Sequence, residues 1–247
     1  MPTKFLRTSE IATAVGVHPN TVRLYETWGY LPPIPRSRSG YRQFTPAHLE
    51  QMRLARTALQ WPYPGGKEPV MQLVTQAAAG NLGEALELAY QFLAQVQAEQ
   101  AQAETAVLFL EHWAHGQQVD TTAQPLAIGQ AAKRLELSAD VLRNWERNGL
   151  LTVPRNPRNG YRRYGAAEIG RIRVIRMLRQ ANYSLTAILR MLRRFDAGER
   201  DNLRQALDTL DPQEDIYYIA DNWLTTLANV EQRAQAIIRQ INRMMGG

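Results

Sequence analysis

Residues 21–31 read TVRLYETWGYL, and residues 40–44 read GYRQF; 120 positions later the chain reads VLRNWERNGLL at 141–151 and GYRRY at 160–164. Sliding the chain by 120 residues superimposes the two stretches without a gap. Identities fall at Ala12/Ala132, Arg23/Arg143, Glu26/Glu146, Gly29/Gly149, Leu31/Leu151, Arg38/Arg158, Gly40/Gly160, Tyr41/Tyr161, Arg42/Arg162 and Arg53/Arg173. Val22/Leu142, Tyr25/Trp145 and Phe44/Tyr164 are like-for-like replacements between them. Two copies of this length are a duplicated small domain, because a solenoid needs many short repeats.

Local signals place elements on each copy. A short apolar-periodic helix spans 9–15 in the first copy and 129–135 in the second, with a tight turn at Gly16 or Glu136. A second helix starts at Pro19, where proline suits the first helical position, or after the N-cap Ser138. It stops before Gly29 or Gly149. Two short helices joined by a tight turn in a basic block make a helix-turn-helix. The Pro- and Arg-rich stretches that follow, 31–44 and 151–164, carry Ser-Gly and Asn-Gly among alternating Arg and aromatic residues, which signals a hairpin, or wing. A third helix is expected from Pro46 to about Leu59, and from Ala166 to about Gln180.

The charge pattern agrees. The net +6 alternates along the chain: +5 over residues 1–57, −5 over 58–119, +10 over 120–194 and −4 over 195–247. Of the 29 cations, 26 are arginine, which grips phosphates and guanine edges in a two-pronged way. Two separate polyanion-binding units follow.

These motifs resemble the DNA-binding domain of the MerR family of bacterial transcription regulators. In the second copy the resemblance extends through NYSLTAI at 182–188, similar to the family's loop and fourth helix; in the first, WPYPGG at 61–66 replaces that loop. The resemblance implies a mainly α fold. Two winged helix-turn-helix domains are each followed by a long coiled-coil helix, giving a pseudo-twofold, single-chain mimic of the family dimer. The implied organisation is a first DNA-binding domain at 1–80, a long helix at 81–116, a linker at 117–126, a second DNA-binding domain at 127–210 and a second long helix at 211–247.

Heptad patterns support the long helices. Leu86, Leu93, Gln100 and Val107 recur every seven residues, beside Ala89, Val96, Ala103 and Leu110. Ile216, Trp223, Val230, Ile237 and Met244 do the same beside Ala220, Leu227, Ala234 and Ile241. Helices are therefore expected over 84–115 and 216–244, paired antiparallel in a monomer. A homodimer in which each helix pairs with its own copy is the alternative. The stretch from Gly116 to Leu126 can extend to about 36 Å, at about 3.3 Å per residue, enough to pass into the second copy.

The expected DNA contacts come from both copies. Family resemblance puts Arg23 and Arg143 in the major groove, among the second-helix residues Asn20, Thr21, Tyr25, Asp140, Asn144 and Trp145. Tyr25 and Trp145 serve either as packing aromatics or as phosphate donors. From the wings, Arg36, Arg38, Tyr41 and Arg42 in the first copy, and Arg155, Arg158, Tyr161, Arg162 and Arg163 in the second, would hold the backbone. Glu26 and Glu146 read as structural, pairing an arginine.

Other chemistry finds little support. There are no cysteines, so disulfides, thiolate catalysis and the family's thiolate metal sensing are excluded. His112 and His115, at i and i+3 beside Glu111, would make at most a weak metal site with no further ligand suggested by the sequence, and read as a solvated helix end. No phosphate loop or nucleophile–base pair is present, so neither enzyme activity nor a cofactor is expected. No apolar run spans a bilayer and the start lacks a secretory signal, so cytosol is the default and no membrane partner is expected. The implied partners are double-stranded DNA and RNA polymerase at the promoter, where family members distort an overlong spacer. A small-molecule inducer in a pocket between the halves is an open alternative, since Trp61, Tyr63, Tyr90, Phe92, Phe109, Trp113, Tyr217, Tyr218 and Trp223 lie outside the helix-turn-helix and hairpin stretches that carry the DNA-binding motifs. An architectural DNA-bending role is another.

Overall fold

The computed structural model describes residues 5–117, 119–209 and 222–246. They are mainly helical, with antiparallel bridges as the extended pairing among them. The chain divides into two compact units, one built from residues 1–98 and 227–247 and the other from residues 99–226.

In the first unit, α1 (Thr8–Ala14) and α2 (Pro19–Thr27) are joined by a turn at Gly16. Gly16 sits at φ +65°, a left-handed conformation that glycine adopts without a Cβ penalty. Ile11, Ala12 and Val22 bury the facing sides of the pair. They pack with α3 (Pro46–Ala58), which Thr45 caps by accepting from the His48 amide and which contributes Met52, Leu54, Ala55 and Ala58. Phe44 is fully buried, and its backbone exchanges hydrogen bonds of 2.8 and 3.0 Å with Leu6. Burying a side chain of that size contributes roughly 1.5–3 kcal/mol. That pairing anchors the base of the hairpin to the chain segment entering α1. The stretch at 61–66 leads into α4 (Glu68–Ala78).

The second unit repeats this arrangement with α6 (Ile128–Arg134), α7 (Ala139–Arg147) and α8 (Ala166–Gln180). Its anchor is Leu126 with Tyr164, at 2.9 and 3.0 Å. The turn residue is Glu136 at φ +52°, a conformation that costs a residue with a Cβ about 1–2 kcal/mol. Arg176 holds it there, reaching Glu136 Oε2 at 2.7 Å as well as the Leu135 carbonyl. Further on lie α9 (Leu185–Asp196) and α10 (Leu203–Leu207).

Two long helices run beyond the repeats: α5 (Leu82–Ala114) and α11 (Trp223–Gly246). Residues 210–221 lie outside the described residues, so the expectations for Ile216, Tyr217, Tyr218 and Ala220 do too. On α11 the buried positions Trp223, Leu227, Val230, Ala234, Ile237 and Ile241 follow the expected heptads, whereas Met244, near the helix end, is only half-buried. On α5 the seam through Ala89, Val96, Ala103 and Leu110 is fully buried as expected. Its companion is displaced by one residue. Ala85, Phe92, Glu99 and Ala106 are buried, whereas Leu86, Leu93 and Gln100 are only half-buried; Val107, the last member of the expected stripe, is fully buried as expected.

Within the first unit α11 returns to the first repeat. Gln97 Nε2 on α5 donates to Glu231 Oε1 on α11 at 2.9 Å, Gln240 Nε2 donates to Glu50 Oε2 at 2.5 Å, and Arg233 donates to the Pro62 carbonyl. Within the second unit, Arg204 of α10 binds Glu104 and Glu111 of α5 at 2.7 and 3.4 Å. Trp113 stacks on Phe195 with ring centroids 4.2 Å apart.

Candidate nucleic-acid interface

The second helix of each repeat presents the same exposure pattern. Val22 and Tyr25 face inward on α2, as do Leu142 and Trp145 on α7. Asn20, Arg23 and Leu24 are exposed on α2, and Asp140, Arg143 and Asn144 on α7, with Thr21 and Val141 half-buried. Tyr25 and Trp145 keep only 8% and 7% of their surface exposed, so their rings are part of the packing. Tyr25 meets Tyr30 edge to face at 5.6 Å. Burial pushes the Tyr25 phenol up, against the opposing pull of Arg56.

The exposed faces carry one repeated contact with a changed partner. Arg23 Nη1 donates to Asn20 Oδ1 at 3.1 Å, whereas Arg143 Nη1 forms an ion pair with Asp140 Oδ1 at 2.7 Å. Both residues sit in the first turn, at the second helical position. There the N-terminal end of the helix dipole favours a carboxylate.

Each hairpin is locked to its helix by a glutamate held between two arginines. Arg42 Nε binds Glu26 Oε2 at 2.6 Å while Arg36 Nη2 approaches Glu26 Oε1 at 3.7 Å. In the second repeat Arg162 Nε binds Glu146 Oε2 at 2.6 Å and Arg155 Nη2 lies 3.8 Å from Glu146 Oε1. Arg42 and Arg162 are half-buried, while Arg36 and Arg155 remain about half exposed. Tyr41 and Tyr161 are 75% and 74% exposed, so neither is a core residue. Arg38, Arg158 and Arg163 are exposed as well.

The hairpins correct the gapless superposition. Ser37 N donates to Tyr41 O in the first, but Asn156 N donates to Tyr161 O in the second, and Gln43 N→Pro35 O matches Arg163 N→Pro154 O. Pro35, Arg36 and Ser37 therefore correspond to Pro154, Arg155 and Asn156, offset by 119. The second hairpin has one residue more at its tip and one fewer between Leu151 and Pro154. Leu126, Gln130, Asn156, Arg158, Tyr161 and Arg163 line a cleft of about 740 Å3 beside this longer tip.

Two buried polar anchors were not among the expected site residues. Gln51, 1% exposed, donates through Nε2 to the carbonyls of Tyr30 and Val74, both at 3.0 Å. Asp120 accepts from Arg134 at 3.1 Å, from Arg173 at 2.9 Å and from the Thr122 amide at 2.8 Å. Burial pushes its carboxyl up, but the Thr122 hydrogen bonds and the two guanidinium groups outweigh burial and hold it below its ordinary value. A buried-polar position in the α3 apolar stripe was the available sequence signal for Gln51. Asp120 offered none, because Arg173 lies 53 residues away. His115 Nε2 stands 3.8 Å from Asp201, and no group of metal-ligating side chains occurs among the described residues. No described helix is long and apolar enough to cross a membrane.

Paired short helices whose second member exposes an arginine, each beside an arginine-rich hairpin and present twice, define a helix-turn-helix protein with a duplicated unit. The chain belongs to the MerR helix-turn-helix family of regulatory proteins, whose model matches residues 6–61 and 126–194. It is similar to mercuric resistance operon regulatory proteins of Pseudomonas fluorescens and Serratia marcescens, each 32% identical over 75 residues, covering 30% of this chain and 52% of theirs. The transcriptional regulator CueR of Escherichia coli O6:H1 is 26% identical over 118 residues, 48% of this chain and 77% of that protein. The chain spans about half the length of the mercuric resistance regulators it matches. No solved structure matches.

Proposed function

We propose that this chain is a DNA-binding transcription regulator in which α2 and α7 enter the major grooves of two unequal half-sites and the hairpins act as wings on the phosphate backbone. The observation that carries this reading is the duplication itself. Two helices share one exposure pattern, and each is joined to a basic hairpin by a Glu–Arg clamp, in a chain whose two copies both match the family. Arg23 and Arg143 suit guanine edges, while Arg38, Tyr41, Arg158, Tyr161 and Arg163 suit phosphates. The Glu26 and Glu146 clamps fix the wings beforehand, so less freedom is lost on binding.

One chain serves both half-sites in this reading. The return of α11 to the first unit, through Gln97–Glu231 and Gln240–Glu50, supports antiparallel pairing with α5 inside a monomer. Tethering would favour it over pairing between chains, through an effective concentration in the millimolar range for short flexible linkers. The organisation into recognition domains at 1–80 and 127–210 belongs to the same proposal, as do distortion of promoter DNA and cooperation with RNA polymerase in the cytoplasm.

A second reading adds a small-molecule signal. Trp113, Phe195, Leu151, Glu168, Arg171 and Arg200 line a cavity of about 340 Å3 within the second unit, and Arg200 lies 5.7 Å over the Phe195 ring. A thermal-shift screen with aromatic acids tests it.

Footprinting on genomic fragments followed by transcription with purified polymerase tests the main reading. An asymmetric footprint with distortion, and polymerase output that changes with the protein, is the expected result. A footprint without any change in transcription would favour an architectural role, and no footprint would overturn DNA binding.

A further inference from the structure

We infer that Asn20 and Asp140 set different base preferences in the two half-sites, adenine under Asn20 and cytosine under Asp140. This inference rests on the proposed function and names the specificity within it.

Both residues occupy the second position of their helices, both are exposed, and both touch the arginine three residues on. What differs is one atom pair. Asn20 offers a carbonyl oxygen and an NH2 group, and its oxygen is already engaged by Arg23 Nη1 at 3.1 Å. An amide matches the major-groove edge of adenine, which presents an N7 acceptor and an N6 donor. Asp140 offers acceptors alone. The N4 amino group of cytosine is the donor that a carboxylate accepts from, and adenine N7 would face it acceptor to acceptor.

The arginine partner sharpens this contrast. Arg143 is held against Asp140 Oδ1 at 2.7 Å, so a carboxylate and a guanidinium are displayed side by side on one face of α7. That arrangement complements a G·C pair, whose major-groove edge presents the guanine O6 and N7 acceptors next to the cytosine N4 donor. On α2 the neutral Asn20 leaves the Arg23 charge uncompensated, which adds attraction to phosphate without base preference. A carboxylate near phosphates is repelled, so Asp140 weakens binding wherever it does not meet a donor. Its presence on the exposed face is thereby a device for discrimination more than for affinity.

The competing explanation is that Asp140 only stabilises the first turn of α7 through the helix dipole. The two accounts part on base preference. The experiment is selection from a randomised duplex library, followed by competition binding, with the full-length protein, Asp140→Asn, Asn20→Asp and the double exchange. Expected for Asp140→Asn is a preference at one position of one half-site that moves from cytosine towards adenine by roughly tenfold or more. Asn20→Asp should move the other half-site in the opposite direction, and the double exchange should swap the two preferences. Circular dichroism melting confirms that each variant is folded. If Asp140→Asn raises affinity evenly for all sequences and leaves the selected base unchanged, the inference is overturned while DNA binding stands. If the wild-type protein selects no sequence at all, the proposed function fails instead.

Discussion

Gln51 and Arg171 occupy the same place in the two repeats, 120 residues apart on α3 and α8, and tether the same backbone in different ways. Each donates to the carbonyl just past the second helix. Gln51 reaches Tyr30 at 3.0 Å, and Arg171 Nε reaches Leu150 at 2.7 Å. Beyond that bond they diverge. Gln51 spends its amide on a second carbonyl, Val74, whereas Arg171 forms a two-pronged pair with Asp196 at 2.5 and 2.8 Å. A neutral amide can be sealed in, but a guanidinium near the core requires a carboxylate because an unpaired buried charge is very costly. The difference teaches that duplication kept the geometry of the recognition unit while each copy found its own electrostatic solution.

The two copies should therefore respond unequally to the same exchange. Gln51→Arg introduces a charge at a buried site where the side chain's partners are two neutral backbone carbonyls, and should cost about 3–5 kcal/mol of stability. The reciprocal Arg171→Gln should cost less, about 1–2 kcal/mol, because the Leu150 bond can persist and Asp196 is half exposed to water. Denaturant unfolding checks both, and equal losses would break the comparison.

Asp120 is the next difference to probe. Arg53 pairs with Glu50 of its own helix at 2.6 Å, but its counterpart Arg173 reaches back to Asp120, which also holds Arg134. Asp120→Ala should destabilise the second unit by about 2–3 kcal/mol, since it strips two guanidinium groups and Thr122 of their acceptor. Hydrogen exchange should rise across residues 119–209 more than across 5–98.

The same residue gives the second unit a pH dependence of its own. A folded-state pKa held below the ordinary value means that folding favours the ionised form. Its contribution is complete above the usual carboxylate range and is lost as pH falls through that range towards the lowered folded value. Denaturant midpoints measured from neutral pH down to about pH 3 should show this decline in the wild type, with a shallower fall in Asp120→Asn.

A smaller effect separates the helix starts. Ser138 accepts from Val141 N at 3.2 Å and caps α7, so Ser138→Ala should cost about 1 kcal/mol. On DNA, Arg38→Ala and Arg158→Ala at the exposed hairpin tips should each lower the salt slope by about one and leave sequence preference intact. Arg42→Ala and Arg162→Ala should also loosen the clamps on Glu26 and Glu146, so their effect on binding should come with lost stability.

Much of this molecule was legible from its residues, for reasons that lie in local chemistry. Pro19, the N-cap Ser138, Gly29 and Gly149 mark helix ends by first-turn proline, capping and left-handed backbone, and α2 and α7 run where those signals put them. The α11 stripe was legible because its apolar residues are large and regularly spaced. The α5 companion stripe was not, since it includes Glu99 and two alanines while the more apolar Leu86 and Leu93 flank it. The hairpin offset escaped because one residue lost before Pro154 is restored at the tip, so Leu151 and Gly160 still align with Leu31 and Gly40. At the interface, the pairing of Glu26 and Glu146 with arginine was readable from charge alone. The Asp120 cluster joins residues far apart in sequence and needed the fold.

The central claim is that one chain carries two working recognition units, and the mass of its complex with a selected duplex tests it most directly. Light scattering should give one 28.1 kDa chain per duplex that contains both half-sites, with binding weakened when either half-site is scrambled. Two chains on that duplex, or binding indifferent to the loss of one half-site, would contradict the account.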